Sequence, residues 1–120
     1  MSDWEYWCRS SDPIFCISVG AAYEEGKYGA RQNIDTALHY YQFACDAHHY
    51  ADGCVAYATT LTVYCYGGII NCTNKSFKQI ERYNDKACYL RSFEGCEGKK
   101  DFPTIKQEII KRANLRKNTR

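Results

Sequence analysis

Apolar residues recur along most of the chain at the three- and four-residue spacing that is typical of α-helices. The segment 16–25 has one apolar face, and Gly26 and Gly29 predict that this helix ends there, because glycine readily forms a left-handed C-cap. Asn33 is a suitable N-cap for a second helix, which we expect to continue to Cys45. The predicted apolar face of this second helix consists of Ala37, Tyr40, Tyr41, Ala44 and Cys45.

The same periodicity predicts two further helices, over 54–63 and 76–90, with a break at Gly67 and Gly68 between them. Residues 1–9 have the pattern of the last turns of a preceding helix. No strand is predicted, and the predicted fold class is therefore all-α.

The C-terminal part of the chain is predicted to be separate from the rest. Gly98 and the two lysines that follow it have the composition of a linker, and Pro103 is suited to the first turn of a final helix. We therefore predict a disulfide-linked domain over 1–98, followed by a linker and a basic C-terminal helix over 99–120.

Cysteine is the most informative residue type, with eight copies in 120 residues. An even and dense set of cysteines in a short chain is typical of a disulfide framework, and disulfides persist in oxidising compartments. Two alternatives are reduced thiols in a cytosolic protein and a zinc site that also uses His48 and His49, although no Cys-x-x-Cys pair is present. The candidate disulfide cysteines are Cys8, Cys16, Cys45, Cys54, Cys65, Cys72, Cys88 and Cys96.

The cysteines also mark a degenerate internal repeat. Ala44-Cys45 is followed by Gly53-Cys54, and Ala87-Cys88 is followed in the same way by Gly95-Cys96. Cys8, Cys45 and Cys88 begin successive pairs and lie 37 and 43 residues apart (45 − 8 and 88 − 45). A repeat of this length is typical of stacked helix-turn-helix units.

The segment from Cys16 to Cys54 resembles the Sel1-like repeat family, and within it the cysteine-rich branch. That branch includes the Helicobacter cysteine-rich proteins and a mitochondrial cytochrome c oxidase assembly factor. The resemblance rests on Cys16, Val19-Gly20, Tyr23 and Gly26, then on Ala37-Leu38, Tyr40-Tyr41 and Ala44-Cys45, and last on Gly53-Cys54. The unit over 54–88 keeps both of its bounding cysteines, but it lacks the helix-ending glycine of the family and inserts Cys65 and Cys72.

The resemblance implies a short right-handed α-solenoid of TPR-like helix pairs stapled by disulfides. It also implies that each bridge joins the second helix of one unit to the first helix of the next. The implied pairs are Cys8 with Cys16, Cys45 with Cys54, and Cys88 with Cys96, while Cys65 and Cys72 would staple the loop between them.

No set of residues predicts catalysis or cofactor binding. Nucleophilic catalysis needs a Cys or Ser beside a histidine, and only three histidines are present, of which His39 is predicted to lie on a helix surface. We therefore predict no enzymatic activity, no small-molecule substrate, no metal and no cofactor. The formal net charge of +2 does not favour a nucleic-acid partner, and no run of about 18 apolar residues predicts a membrane span.

The candidate functional residues are aromatic and basic. Eleven tyrosines and two tryptophans are many for this length, and exposed aromatic side chains often anchor protein interfaces. The basic C-terminus has three possible roles, which are a solvated helix end, contact with an anionic surface, and docking onto an acidic protein. The predicted partner-binding residues are Trp4, Trp7, Tyr28, Tyr66, Arg112 and Arg116.

These features predict a non-enzymatic scaffold for protein–protein interactions. The leading hypothesis is an accessory subunit or assembly factor of a mitochondrial respiratory-chain complex, peripheral to the membrane on its intermembrane-space side. The alternative is a secreted or periplasmic cysteine-rich repeat protein that binds host or envelope partners. The first residues lack the basic and apolar segments of a secretory signal, so either a signal was removed or the chain reaches an oxidising compartment without one.

Overall fold

A computed structural model describes residues 2–118, and these residues form six α-helices and no strand. The helices are α1 (Ser2–Ser10), α2 (Pro13–Glu25), α3 (Ile34–Asp46), α4 (Ala51–Tyr66), α5 (Asn74–Tyr89) and α6 (Phe93–Asn118). The predicted all-α class is confirmed for this part of the chain.

The predicted capping residues bound the first full helix pair. Gly26 ends α2 in the left-handed conformation (φ 70°), where a side chain would be strained. Asn33 begins α3, because its side-chain Oδ1 accepts a hydrogen bond from the backbone N–H of Thr36 at 3.1 Å. The connection between these helices is therefore determined by local sequence.

The predicted linker over 98–100 is wrong. Helix α6 begins at Phe93, where the Ser92 hydroxyl accepts a hydrogen bond from the Gly95 N–H at 3.1 Å, and it continues without interruption past Pro103. Residues 99–118 are part of this helix, and Phe102 and Ile109 belong to the main hydrophobic core. Residues 119 and 120 of the predicted C-terminal segment lie outside the described residues.

The six helices pack mainly in chain order. Each helix contacts the next one, α2 and α6 also contact α4, and the whole measures 47 × 33 × 19 Å. The larger hydrophobic cluster contains residues of α3, α4, α5 and α6, and a smaller cluster joins α1, α2 and α3. As a result α1 and α6 lie toward opposite ends of the packing order.

Four disulfides join the elements. They connect Cys8 with Cys16, Cys45 with Cys54, Cys65 with Cys72, and Cys88 with Cys96. Three of them bridge consecutive helices, α1 to α2, α3 to α4 and α5 to α6, and the fourth connects the end of α4 to the loop before α5. The three bridges between consecutive helices are the pairs that the Sel1-like resemblance implies, and the Cys65–Cys72 bridge staples the loop that these two cysteines flank.

The repeated Ala-Cys and Gly-Cys pairs have one structural role. Gly53 packs against Ala44, and a Cβ at position 53 would lie 2.8 Å from the backbone N of Cys45. Gly95 packs in the same way against Ala87, and a Cβ there would lie 2.8 Å from the backbone N of Cys88. The small residues thus let two helix backbones approach closely enough for the neighbouring cysteines to bridge, with Cα–Cα distances of 4.7 Å and 4.4 Å.

Side-chain hydrogen bonds join helices that are distant in sequence. The hydroxyl of Tyr83 on α5 donates to Oδ2 of Asp46 on α3 at 2.7 Å and accepts from Nε2 of Gln42 at 2.8 Å. Between α2 and α3, the Tyr41 hydroxyl donates to Oε1 of Glu24 at 2.9 Å. Because the Tyr83 and Tyr41 rings are buried, both contacts also fix the register of these helices.

The Tyr83 contact predicts a loss of stability at alkaline pH. Burial of the ring, together with the hydrogen bond to Asp46, raises the pKa of Tyr83 to about 12. An unfolded tyrosine ionises near about pH 10, so above that pH the unfolded chain has lost a proton that the folded chain retains. The free energy of unfolding should therefore fall as the pH rises from about 10 to about 12.

We expect the free energy of unfolding of Tyr83→Phe to fall less steeply over the same range. At neutral pH this variant should be about 1 kcal/mol less stable because it lacks the hydroxyl. Urea unfolding at a series of pH values measures both effects. Equal slopes for the two proteins would show that Tyr83 does not retain its proton.

Candidate functional site

The six predicted partner-binding residues form two groups, which lie on opposite ends of the packing order. Trp4 and Trp7 are on α1 and Tyr28 is in the loop after α2, whereas Tyr66 ends α4 and both arginines lie on α6. The structure therefore brings the six residues together as two surfaces rather than one.

At the N-terminal end, Trp4 is half-buried and packs against the smaller hydrophobic cluster. Its ring meets that of Tyr28 edge to face, with the centroids 5.3 Å apart. Tyr28 remains 69% exposed and Trp7 46% exposed. Sequence reasoning missed Tyr6, which is exposed and lies edge to face with Trp7, although its place between two tryptophans was a signal.

At the C-terminal end, Tyr66 and Arg112 stack on each other. The Arg112 guanidinium carbon lies 4.1 Å from the centre of the Tyr66 ring, and its Nε donates to Oε1 of Glu108 at 3.2 Å. The two contacts hold a cation at a defined position on an exposed surface. Tyr66 is thus a support for Arg112 as well as an exposed aromatic residue.

Arg116 borders a groove beside this stacked pair. Its guanidinium packs over Gly68, where a Cβ would lie 2.7 Å from the guanidinium carbon. The groove has a volume of about 630 Å³ and separates the loop that follows α4 from the last turns of α6. We call it the C-terminal groove, and its lining residues are Cys65, Gly68, Ile70, Asn71, Cys72, Phe77, Ile109, Ile110, Ala113, Asn114, Arg116 and Lys117.

The C-terminal groove combines an apolar floor with a positive wall. Cys65, Phe77 and Ile109 on its floor are buried, and the Cys65–Cys72 disulfide fixes the loop that closes it. From 109 to 118, α6 carries four cations and no acidic side chain. This arrangement suits a ligand that presents apolar and negatively charged groups together.

An exposed aliphatic residue adjoins the groove and was missed from the sequence. Ile69 is 71% exposed, and it follows the two glycines of the loop. An apolar residue after the Gly-Gly pair was the available signal, and it is a weak one because single exposed apolar residues are common on protein surfaces.

The histidines do not gather with other metal-ligating groups. His48 Nε2 lies 2.7 Å from the backbone oxygen of Cys8 and so ties the turn after α3 to the end of α1. Among residues 2–118, no group of three or more His, Cys, Asp or Glu side chains is placed to hold a metal ion. Within the same residues, every helix is too short or too polar to cross a membrane.

Comparisons with models of known protein families, with curated proteins and with solved structures find no match to this chain. The Sel1-like resemblance therefore stays a prediction from the motif residues.

Proposed function

We propose that this chain is a non-enzymatic interaction subunit that binds an acidic, partly apolar segment of a partner protein in the C-terminal groove. The observation that supports this function best is the fixed Arg112 cation beside a groove with a buried apolar floor. Three of the six residues predicted from the sequence lie at or beside this groove, namely Tyr66, Arg112 and Arg116. The exposed aromatic residues around Trp7 form a second candidate contact at the other end.

We further propose that the helices form a short right-handed α-solenoid of Sel1-like units. The contacts of α4 with both α2 and α6 support a stack in which these three helices are equivalent. The matching glycine–alanine contacts at Gly53 and Gly95 support the equivalence of α4 and α6. Such short arrays commonly gain stability by covering an end, which fits a subunit that works inside a larger assembly.

Four disulfides indicate an oxidising compartment. Within that class, we propose the mitochondrial intermembrane space, where the chain would serve as an accessory subunit or assembly factor peripheral to a respiratory-chain complex. The alternative is a secreted or periplasmic repeat protein that binds host or envelope partners.

The direct experiment is to isolate the tagged chain from the cells that produce it, in mild detergent, and to identify the co-purifying proteins by mass. Recovery of respiratory-chain subunits in stoichiometric amounts would support the leading proposal. Recovery of extracellular or envelope proteins would favour the alternative, and recovery of the chain alone would contradict an interaction subunit.

Charge reversal at the groove should weaken partner binding. We expect Arg112→Glu to reduce the affinity about tenfold, since it replaces an attractive charge at the rim by a repulsive one. The measurement is a binding titration of the recovered partner against both proteins. Circular dichroism should show the same helix content in each, because Arg112 is exposed.

Lys100→Glu is the matched control for this prediction. Lys100 is an exposed cation on the same helix, about 18 Å along the axis from Arg112, so the reversal changes the net charge equally. Equal losses of affinity for the two variants would show that net charge matters and that the C-terminal groove does not.

A further inference from the structure

A second, smaller cavity lies between α4 and α6, and its base is formed by α5. Its volume is about 170 Å³, and every residue that lines it is uncharged. The apolar walls come from Ala58 and Val63 on one side and from Phe102 and Ile105 on the other. We call this cavity the Asn84 slot, after the one residue that α5 contributes to it.

Asn84 is the unusual member of this lining. It is only 8% exposed, and its side-chain amide has no hydrogen-bond partner within residues 2–118. No completely buried side-chain N or O atom in this part of the chain lacks a partner, so the unpaired amide atoms keep some access to solvent, and Asn84 lines the slot. Because these atoms keep access to solvent, water can satisfy them in the free protein, and a ligand that covers them must supply a hydrogen bond in place of that water.

Neighbouring residues keep the amide available. Gly98 lies against it, and a Cβ at that position would be 2.5 Å from Oδ1 of Asn84. A glycine inside a helix is less favourable than alanine, so the space at Gly98 has a cost in helix stability. Thr62 does not compete for the amide, because its hydroxyl donates to the backbone oxygen of Ala58 at 2.6 Å.

The size and chemistry of the Asn84 slot define its ligand. An apolar cavity of about 150 Å³ is large enough to bind a benzene ring, so the slot is large enough for a ring with one small substituent. The uncharged lining disfavours a charged substituent, which would lose its hydration without a counter-ion. The amide both donates and accepts hydrogen bonds, as a phenol hydroxyl does.

We propose that the Asn84 slot binds the side chain of a tyrosine from a partner protein. The ring packs between the apolar walls of the slot, and the hydroxyl forms a hydrogen bond with the Asn84 amide. A phenylalanine side chain should bind more weakly than a tyrosine side chain, since it would bury the amide without a partner. The proposal rests on the proposed function only in that the tyrosine belongs to a partner protein, and it does not depend on the C-terminal groove.

The test uses p-cresol and toluene, which are the side-chain analogues of tyrosine and phenylalanine. The folded chain is titrated with each probe, and binding is followed through the chemical shifts of the backbone amides. The shifts that change should belong to residues of α4 and α6 around the slot. We expect p-cresol to bind about fivefold more tightly than toluene, because one net hydrogen bond separates the two ligands.

The Asn84→Leu variant keeps the approximate shape of the side chain and removes its hydrogen bonds. In this variant we expect toluene to bind at least as tightly as p-cresol, which reverses the order. Asn74→Leu is the matched control, because Asn74 is exposed on α5 and lines neither the slot nor the C-terminal groove, and it should keep the original preference. If Asn84→Leu does not fold, Val63→Phe serves instead, since it fills the slot from its exposed rim and should abolish binding of both probes.

Several outcomes would overturn the proposal. These are equal affinities for the two probes, shifts confined to other surfaces, and a preference for p-cresol that survives in Asn84→Leu. A concentration-dependent dimer that Asn84→Leu converts to a monomer would assign the slot to a second copy of this chain and so contradict a partner tyrosine. If the isolated chain captures no partner protein but still binds p-cresol more tightly than toluene, the proposed function is refuted, while the preference of the slot for a phenol stands.

Discussion

Reduction of the four disulfides is expected to unfold this protein under conditions in which the oxidised chain is fully helical. The bridges close short loops, with sequence separations of 8, 9, 7 and 8 residues. By chain entropy each is worth about 2–3 kcal/mol, and the four together at most about 12 kcal/mol. Because a domain of this size is stable by only about 5–15 kcal/mol, most of its stability depends on them.

The measurement is helix content by circular dichroism, with and without a phosphine reductant, at increasing urea concentration. We expect the oxidised chain to unfold cooperatively and the reduced chain to show little cooperative transition. A reduced chain that unfolds cooperatively at a similar urea concentration would show that the hydrophobic core alone holds the fold.

A graded version separates the bridges. The double variant Cys45→Ala with Cys54→Ala removes a staple between α3 and α4, both of whose cysteines are fully buried. The double variant Cys65→Ala with Cys72→Ala removes the staple at the C-terminal groove, where Cys72 is half-buried. We expect the first pair to lower the stability of the whole chain and the second to loosen mainly the loop that closes the groove.

The first full helix pair could be predicted from the sequence because its signals are local, whereas the three bridges between consecutive helices were expected from the Sel1-like resemblance. A glycine at the end of α2 and Asn33 before α3 act within a few residues of where they stand. Bridges between cysteines eight or nine residues apart are also short-range features. The motif residues that carry the Sel1-like resemblance are also close together in the sequence.

Helix α6 was predicted to start too late because the tertiary packing overrides local propensity. Pro103 inside a helix removes one backbone hydrogen bond and costs about 3 kcal/mol, so a helix that starts beside it is the better local solution. Phe102 and Ile109 are buried on the same helix, and each such side chain contributes about 1.5–3 kcal/mol. Ser92 was the overlooked signal for the true start of α6.

The candidate sites could be predicted only in part. Tyr66 and Arg112 were each identified as candidates, but their stacking depends on how α4 and α6 pack. Asn84 carries no signal in the sequence, since a polar residue in the middle of a helix is ordinarily exposed. Its importance follows from a cavity that forms only when three helices are assembled.

The glycines before Cys54 and Cys96 should be the least replaceable residues outside the disulfides. We expect Gly53→Ala and Gly95→Ala each to destabilise the fold by about 2–3 kcal/mol, because a methyl group there meets the backbone of the opposite helix, which cannot rotate away. Gly67→Ala is the matched control. At position 67 the backbone is right-handed (φ −76°) and the nearest atom would be 3.4 Å away, so we expect no loss, or a gain of about 0.5 kcal/mol.

Urea unfolding of the three oxidised variants measures these differences, and the pattern tests the repeat itself. If Gly53 and Gly95 occupy equivalent places in successive units, the two substitutions should cost similar amounts although they lie in different helices. A large loss at one position with none at the other would mean that the shared Gly-Cys motif does not reflect shared packing. Equal losses with a neutral Gly67→Ala would instead tie the motif to the close contact of helix backbones that places each cysteine pair within bridging distance.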